Sequence, residues 1–230
     1  MKKFITLLIA ATLVASAAAG TKDVIPLVST NVPVSFSVGL KYQGSDVSTY
    51  KNNKWTGYGW ANKETAVIKA DFHNGWDLAV EDYLTQNQVN TSKTTKTKTG
   101  SVTTHTTTEA SAGGFEVKPR YTFKITKKLD LGVQAGVGDS YGIHNTALVN
   151  KFYYISESRL IYHYNKWLNL RASYQFQSPF NELYSNWVNT VKIGPDIKLT
   201  SRIDLTLSYV NNFAGTQHGN GFESGLTYRF

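Results

Sequence analysis

The feature that most constrains this chain is the alternation of apolar and polar residues, seen most clearly over residues 222–230. Four of the five even positions there are apolar or aromatic, and the odd positions carry glycine, threonine or charge. Successive side chains of a β-strand point to opposite faces, whereas an amphipathic helix repeats every three or four residues. The pattern therefore predicts a strand with one apolar and one polar face.

Nine further segments show the same alternation: 34–43, 64–72, 76–85, 115–123, 129–137, 152–162, 168–177, 187–199 and 203–210. Most of the ten segments span about 9–11 residues, the length that a tilted strand needs to cross a bilayer. Helices are disfavoured because β-branched and aromatic residues fill the apolar positions. The sequence therefore predicts an all-β, antiparallel, up-and-down transmembrane barrel of ten strands, with eight or twelve as alternatives.

The connections alternate in length. Short ones fall at 73–75, 124–128, 163–166 and 200–202, and long ones at 44–62, 86–113, 138–150, 178–186 and 211–220. Short periplasmic turns and long extracellular loops are typical of outer-membrane barrels. A secreted β-sandwich or soluble barrel is disfavoured because the polar faces carry glycines, which suit a crowded lumen better than a solvated surface.

The first residues have the pattern of an export signal. Lys2 and Lys3 precede an apolar stretch at 4–14 and a small-residue run at 15–20. This arrangement predicts a signal peptide over residues 1–19, a periplasmic segment over 20–33 and the barrel over 34–230. The predicted location is the bacterial outer membrane.

Composition excludes several function classes. The 230 residues include no cysteine, which excludes a disulfide scaffold and a thiolate metal site. The formal net charge of +8 could suit nucleic acid, but the export signal disfavours that partner. No cofactor and no metal are expected.

The last residues, Gly225-Leu226-Thr227-Tyr228-Arg229-Phe230, resemble the C-terminal β-signal of small Gram-negative outer-membrane barrels. The similarity is to the outer-membrane-protein-A-like and small-porin groups, and more weakly, through length, to the twelve-stranded oligogalacturonate-specific porins. The resemblance implies partners for biogenesis, namely the barrel-assembly machinery and periplasmic chaperones, and a setting of outer-membrane lipid and lipopolysaccharide. It implies that Phe222, Leu226, Tyr228 and Phe230 form the assembly signal.

If the apolar face of each strand points outward, the alternate positions direct nine basic and nine acidic side chains into the lumen. The basic set is Lys41, Lys69, Lys118, Arg120, Arg159, Arg171, Lys192, Lys198 and Arg229. The acidic set is Asp71, Asp77, Glu81, Glu116, Asp130, Glu157, Asp196, Asp204 and Glu223. Matched charges in a narrow interior favour ion pairing. We therefore expect a structural or surface-interaction barrel with a narrow, ion-paired and mostly closed lumen.

The alternative function is a small diffusion channel. In that case Lys118, Arg120, Arg171 and Lys192 form a basic track for small solutes, anionic ones included. A barrel of ten strands is only slightly wider than the eight-stranded barrels whose interior side chains already fill, so any channel is narrow.

Two segments are candidates for a surface ligand. The connection at 86–113 is rich in threonine and lysine, and Lys93, Lys96 and Lys98 suit anionic lipopolysaccharide. We expect it to form a hairpin that turns near Gly100. The other candidate is the aromatic cluster of Trp55, Tyr58 and Trp60.

Enzymatic chemistry is a remote alternative. His218-Gly-Asn-Gly resembles the His-x-Ser arrangement of outer-membrane lipid A deacylases, but Asn220 occupies the position of the nucleophilic serine. A hydroxyl nucleophile needs a base beside it. The sequence therefore predicts no enzyme and no catalytic residue.

Overall fold

The computed structural model describes residues 34–51, 54–97, 100–144, 147–180, 187–215 and 217–230. Both N-terminal segments predicted above, 1–19 and 20–33, lie outside the described residues. Ten strands make up the fold: β1 (Ser35–Lys51), β2 (Lys54–Asp71), β3 (Trp76–Thr97), β4 (Gly100–Lys124), β5 (Leu129–His144), β6 (Ala147–His163), β7 (Leu168–Pro179), β8 (Val188–Lys198), β9 (Ile203–Ala214) and β10 (Gln217–Arg229). Within the described residues, no helix has the length and apolar character needed to cross a membrane.

The ten strands form one closed antiparallel barrel in which each strand pairs with its sequence neighbours. β10 closes the barrel against β1, in a register that runs from Ser37↔Arg229 to Thr49↔Gln217. Closure leaves no free sheet edge around the ring. The hairpin of β3 and β4 continues beyond it, where these two strands pair with each other alone. The prediction of ten strands is confirmed, and the alternatives of eight and twelve are not observed.

Alternate side chains along each strand form an apolar outer face and a polar inner face. On β10, Phe222 and Leu226 are 71% and 51% exposed, whereas Glu223 between them is 7% exposed. The same contrast holds on β1, where Leu40 and Tyr42 are exposed and Lys41 forms an ion pair inside. A soluble barrel has the opposite arrangement, with its apolar residues inside.

The four short turns lie where the sequence predicts them. They join β2 to β3, β4 to β5, β6 to β7 and β8 to β9. In the first turn, His73 and Gly75 have φ angles of 56° and 93°. The side chain of Asn74 accepts a hydrogen bond of 3.1 Å from the backbone N–H of Trp76. Asparagine suits this turn because its side chain binds the backbone two residues on, and glycine suits it because it tolerates a positive φ.

Four of the five long connections, 44–62, 86–113, 138–150 and 211–220, are mostly strand, so for these the predicted loops are too long. Most of the fifth, 178–186, lies outside the described residues. β1 and β2 remain paired up to Lys51↔Lys54, well inside the predicted connection 44–62. β3 and β4 remain paired up to Thr97↔Gly100, so the segment 86–113 is a two-stranded hairpin that ends at Gly100. Alternation of apolar and polar residues identifies only the part of a strand whose outer face is apolar. A strand that continues with polar residues on both faces keeps its backbone hydrogen bonds but loses the pattern.

We expect the seam between β1 and β10 to reject a larger residue at Gly221. A β-carbon there would lie 2.5 Å from the α-carbon of Ser45 on β1. Gly221→Val should therefore lower the free energy of unfolding by about 1–3 kcal/mol, because backbone atoms must move apart. Urea unfolding of the refolded barrel in detergent measures the effect. Ser224→Val, on the outer face of the same strand, is the matched control, and an equal effect in both variants would contradict the expectation.

Candidate functional site in the barrel lumen

A cavity of about 830 Å³ lies in the half of the lumen that faces away from the short turns. Its lining follows β1 from Lys41 to Tyr50 and β10 from Glu223 to Gln217. Both runs begin at mid-strand and end at the long-connection end of the barrel. The cavity therefore opens at that end and has a floor near the middle of the barrel.

The cavity walls carry uncharged polar side chains. Amide and hydroxyl groups from six strands line it: Gln43, Ser45, Thr49, Thr65, Thr85, Asn87, Gln175, Gln177, Thr190 and Asn212. Thr190 donates a hydrogen bond of 2.8 Å to the side chain of Asn212. At the mouth, the rings of Tyr50 and His218 meet edge to face, with centroids 5.4 Å apart.

The floor of the cavity is a layer of ion pairs centred on Lys118. Its ammonium group lies 2.6 Å from carboxylate oxygens of both Glu81 and Glu116. Lys41 approaches Glu81 at 2.8 Å, and Lys63 approaches Glu116 at 3.3 Å. These residues belong to β1, β2, β3 and β4, so the ion pairs connect four adjacent strands across the inner face.

Two tyrosines extend this layer to β6. The Tyr153 hydroxyl donates a hydrogen bond of 3.0 Å to Glu116 and lies 2.8 Å from the Tyr83 hydroxyl. The ring of Tyr153 crosses β5 over Gly138, where a β-carbon would lie 2.5 Å from the ring. Glycine at this position therefore lets the tyrosine reach the carboxylate. Ile155, which is 1% exposed, packs beside both tyrosines.

A second group of ion pairs joins β7, β8 and β10. The Arg171 guanidinium lies 3.4 Å from Asp196 and 3.8 Å from Glu223, and it donates a hydrogen bond of 2.8 Å to Ser208 on β9. Lys192 approaches Glu223 at 2.5 Å. Arg171 and Glu223 are three strands apart around the wall, so their contact crosses part of the lumen.

The remaining predicted lumen charges either lie toward the short turns or form an ion pair between two residues of the same strand. Arg120 donates a hydrogen bond of 2.8 Å to Asp77, and Lys69 lies 3.5 Å from the same carboxylate. Lys69 also lies 3.9 Å from the carboxylate of Asp71. Arg159 and Glu157 pair at 2.8 Å on β6.

Two more pairs lie beside the short turns. His163 lies 2.9 Å from Asp130, and Arg229 pairs with Asp204. None of the four residues lines the cavity. Together with the pairs of Asp77 and Arg120, they occupy the lumen below the cavity floor.

Sequence reasoning missed three residues of this site. Lys63 precedes the segment in which alternation begins, and it lies 4.1 Å above the Tyr83 ring as well as beside Glu116. Tyr83 and Tyr153 fall at inward positions of the alternation, but the sequence does not distinguish them from the aromatic residues that outer-membrane barrels carry at both membrane interfaces. The signal that could have found them is the glycines on the neighbouring strands, which leave room for large inward rings.

The aromatic candidates for a surface ligand lie on β2 and not in a loop. Trp55 and Tyr58 stack with ring centroids 6.1 Å apart and planes 5° from parallel. Trp60 donates a hydrogen bond of 2.9 Å to Gln88 on β3. Among the lysine candidates, Lys93 is exposed on β3, the side chain of Lys96 is outside the described part of the structure, and Lys98 lies outside the described residues.

The residues of the predicted assembly signal share the outer face at the seam. Phe222, Leu226, Tyr228 and Phe230 are all exposed. The backbone N–H of Phe230 donates a hydrogen bond of 3.0 Å to the carbonyl of Phe36 on β1. Phe230 thus extends the ladder that closes the barrel.

Across the described ranges of the chain, no group of three or more histidine, aspartate or glutamate side chains could hold a metal ion.

We expect the floor of the cavity to depend on Lys118. Lys118→Met leaves two buried carboxylates short of a cation, which should lower the free energy of unfolding by about 3–5 kcal/mol. Urea unfolding in detergent measures the loss. Lys124→Met, at the exposed end of β4, is the control and should change the free energy little. Equal losses in the two variants would show that the buried ion pairs do not stabilise the barrel.

Comparison with known proteins shows a shared fold. No protein family matches the sequence, and no curated protein matches it. The chain is similar in structure to the translocator domain of the autotransporter NalP from Neisseria meningitidis, with a TM-score of 0.52, 11% identity, and 96% and 97% of the two chains covered.

Two further solved structures resemble the chain less closely. An outer-membrane channel from Pseudomonas putida gives a TM-score of 0.49 at 11% identity, covering 90% of this chain and 99% of that one. The β-domain of the Bordetella autotransporter Brka gives 0.49 at 10% identity, covering 85% and 98%. The chain thus has the closed β-barrel fold of the NalP translocator domain.

Proposed function

We propose that this chain is a bacterial outer-membrane barrel with a structural or surface-interaction role, whose lumen is closed by ion pairs. The observation that carries the proposal is the floor of the cavity. Lys118, Glu81 and Glu116 fill the lumen at mid-height, and further pairs fill it toward the short turns. A solute that enters the cavity meets this layer before it reaches the other end.

The outer face supports the membrane location. Large apolar side chains on neighbouring and opposite strands are half or more exposed, among them Leu40, Phe152, Ile193 and Phe222. Soluble monomers rarely expose an apolar surface that continues around the whole molecule. In a bilayer the same surface faces lipid, and the closed strand ladder satisfies the backbone polar groups that lipid cannot.

The channel alternative is supported by the cavity, which already opens half of the lumen. The basic track that it requires is neutralised, however. Lys118 and Lys192 contact carboxylates at 2.5–2.6 Å, and Arg120 contacts Asp77 at 2.8 Å. The fourth member, Arg171, lies between two carboxylates. Cations held in this way do not form a row of free anion sites through the barrel.

Planar-bilayer recording tests the closed lumen. The unaltered barrel should insert without stable conductance steps, because the ion-pair layer blocks the passage. Replacement by alanine of Glu81, Glu116 and Lys118 together with Asp77 and Arg120, the pair below the floor, should produce such steps. Heat-modifiable migration on a gel establishes that both proteins have folded. Stable steps from the unaltered chain would reject the closed lumen and favour the channel.

Assembly at the outer membrane through Phe230 belongs to the same proposal. Phe230→Ala should reduce the amount of heat-modifiable barrel in the outer-membrane fraction severalfold, because the exposed aromatic at the end of the closing strand is lost. Phe123→Ala is the matched control, since Phe123 is a similarly exposed aromatic at the short-turn end of β4. Unchanged insertion of the Phe230 variant would reject its role in assembly.

A further inference from the structure

We propose that the cavity is a binding site for a small organic anion that carries hydroxyl groups. The inference rests on the proposed function in one respect, that the open end of the cavity faces the outside of the cell. The argument comes from the charge, exposure and hydrogen-bonding capacity of the lining.

The cavity lining carries more cations than anions, although the lumen as a whole was expected to be neutral. Six cationic side chains line the cavity: Lys41, Lys63, Lys118, Arg159, Arg171 and Lys192. Four acidic side chains line it: Glu81, Glu116, Glu157 and Glu223. The carboxylates of Asp77 and Asp130 lie below the floor toward the short turns, where they pair with Arg120 and His163. Asp196 pairs with Arg171 without lining the cavity and offsets one of the two additional cations, so the cavity keeps a positive excess of one charge at its closed end.

Exposure strengthens this asymmetry. The four acidic side chains are at most 9% exposed, and Glu116 is 2% exposed. Lys41 and Lys63 are 32% and 29% exposed, and Lys192 and Arg159 are each 20% exposed. A molecule that reaches the floor therefore contacts ammonium and guanidinium groups, while the carboxylates are covered.

The exposed lysines retain unused hydrogen-bond donors. An ammonium group has three N–H donors. Lys63 contacts Glu116 at 3.3 Å, and that carboxylate is already held by Lys118 and Tyr153. Lys41 likewise shares Glu81 with Lys118. Because each carboxylate serves two cations, an additional anion would complete the coordination of Lys41 and Lys63 without displacing a floor contact.

The walls determine the second part of the ligand class. Amide and hydroxyl side chains such as Gln43, Asn87 and Gln175 both donate and accept hydrogen bonds, which suits hydroxyl groups. A cavity of about 830 Å³ lies within the range that proteins use for small ligands. The charged end of the ligand thus fits the floor and its hydroxyl groups fit the walls.

Isothermal titration of the full barrel in detergent tests the ligand class with three matched probes. L-Tartrate is a dianion with two hydroxyl groups, L-threitol is its neutral counterpart, and succinate is the dianion without hydroxyl groups. We expect tartrate to bind at least tenfold more tightly than threitol and severalfold more tightly than succinate. Equal binding of tartrate and threitol, or no binding of tartrate, would overturn the proposal.

Variants locate the site. Lys63→Gln should weaken tartrate binding about fivefold or more, Lys63→Arg should retain most of it, and Lys124→Gln, at the exposed end of β4, should leave it unchanged. An equal loss with Lys124→Gln would show nonspecific attraction and reject the cavity as the site.

Failure of the anion site can be distinguished from failure of the closed lumen. A barrel that is silent in planar bilayers but does not bind tartrate rejects only the anion site. A barrel that conducts and binds tartrate at Lys63 rejects only the closed lumen.

Discussion

The closure of β1 against β10 is the constraint on which the rest of the molecule depends. Within the ring, each of the ten strands is paired on both sides without a free edge, and this allows the outer face to be apolar. Closure also fixes the width of the lumen, because barrel diameter follows strand number. At ten strands, long side chains from neighbouring strands can meet, and some contacts, such as Arg171 with Glu223, reach three strands around the wall.

The charged layer at the cavity floor is possible because a glycine on the inner face of one strand leaves room for a tyrosine side chain from the next. Where β5 carries glycine, Tyr153 on β6 can lie over it and reach Glu116 on β4. Glu116 then has two cations and one hydroxyl as partners, which offsets much of the cost of burying a carboxylate. The layer is therefore a consequence of side-chain size as much as of charge.

Much of the fold can be predicted from sequence because alternation and turn chemistry are local signals. The ten apolar faces and the turn at His73-Asn74-Gly75 give the strand number and the connection pattern. Strand length could not be predicted, because paired strands with two polar faces, as at Thr94 and Thr103, have no alternation to read. For the site, parity directs Lys118 and Glu116 inward, but the partnership of Lys63 with Glu116 depends on residues 53 positions apart.

The two halves of the lumen are built by the same ten strands and differ in the types of side chain that point inward. Inward positions near the short turns carry acids and bases, as at Asp77, Arg120 and Arg229, whereas inward positions toward the open end carry amides and hydroxyls, as at Gln43 and Gln177. Opposite charges attract across the lumen and fill it, while the shorter neutral side chains leave space. A cavity with a charged floor therefore follows from the order of residue types along each strand. Because three lysines but only two glutamates meet at the boundary between the two halves, that floor is also positively charged.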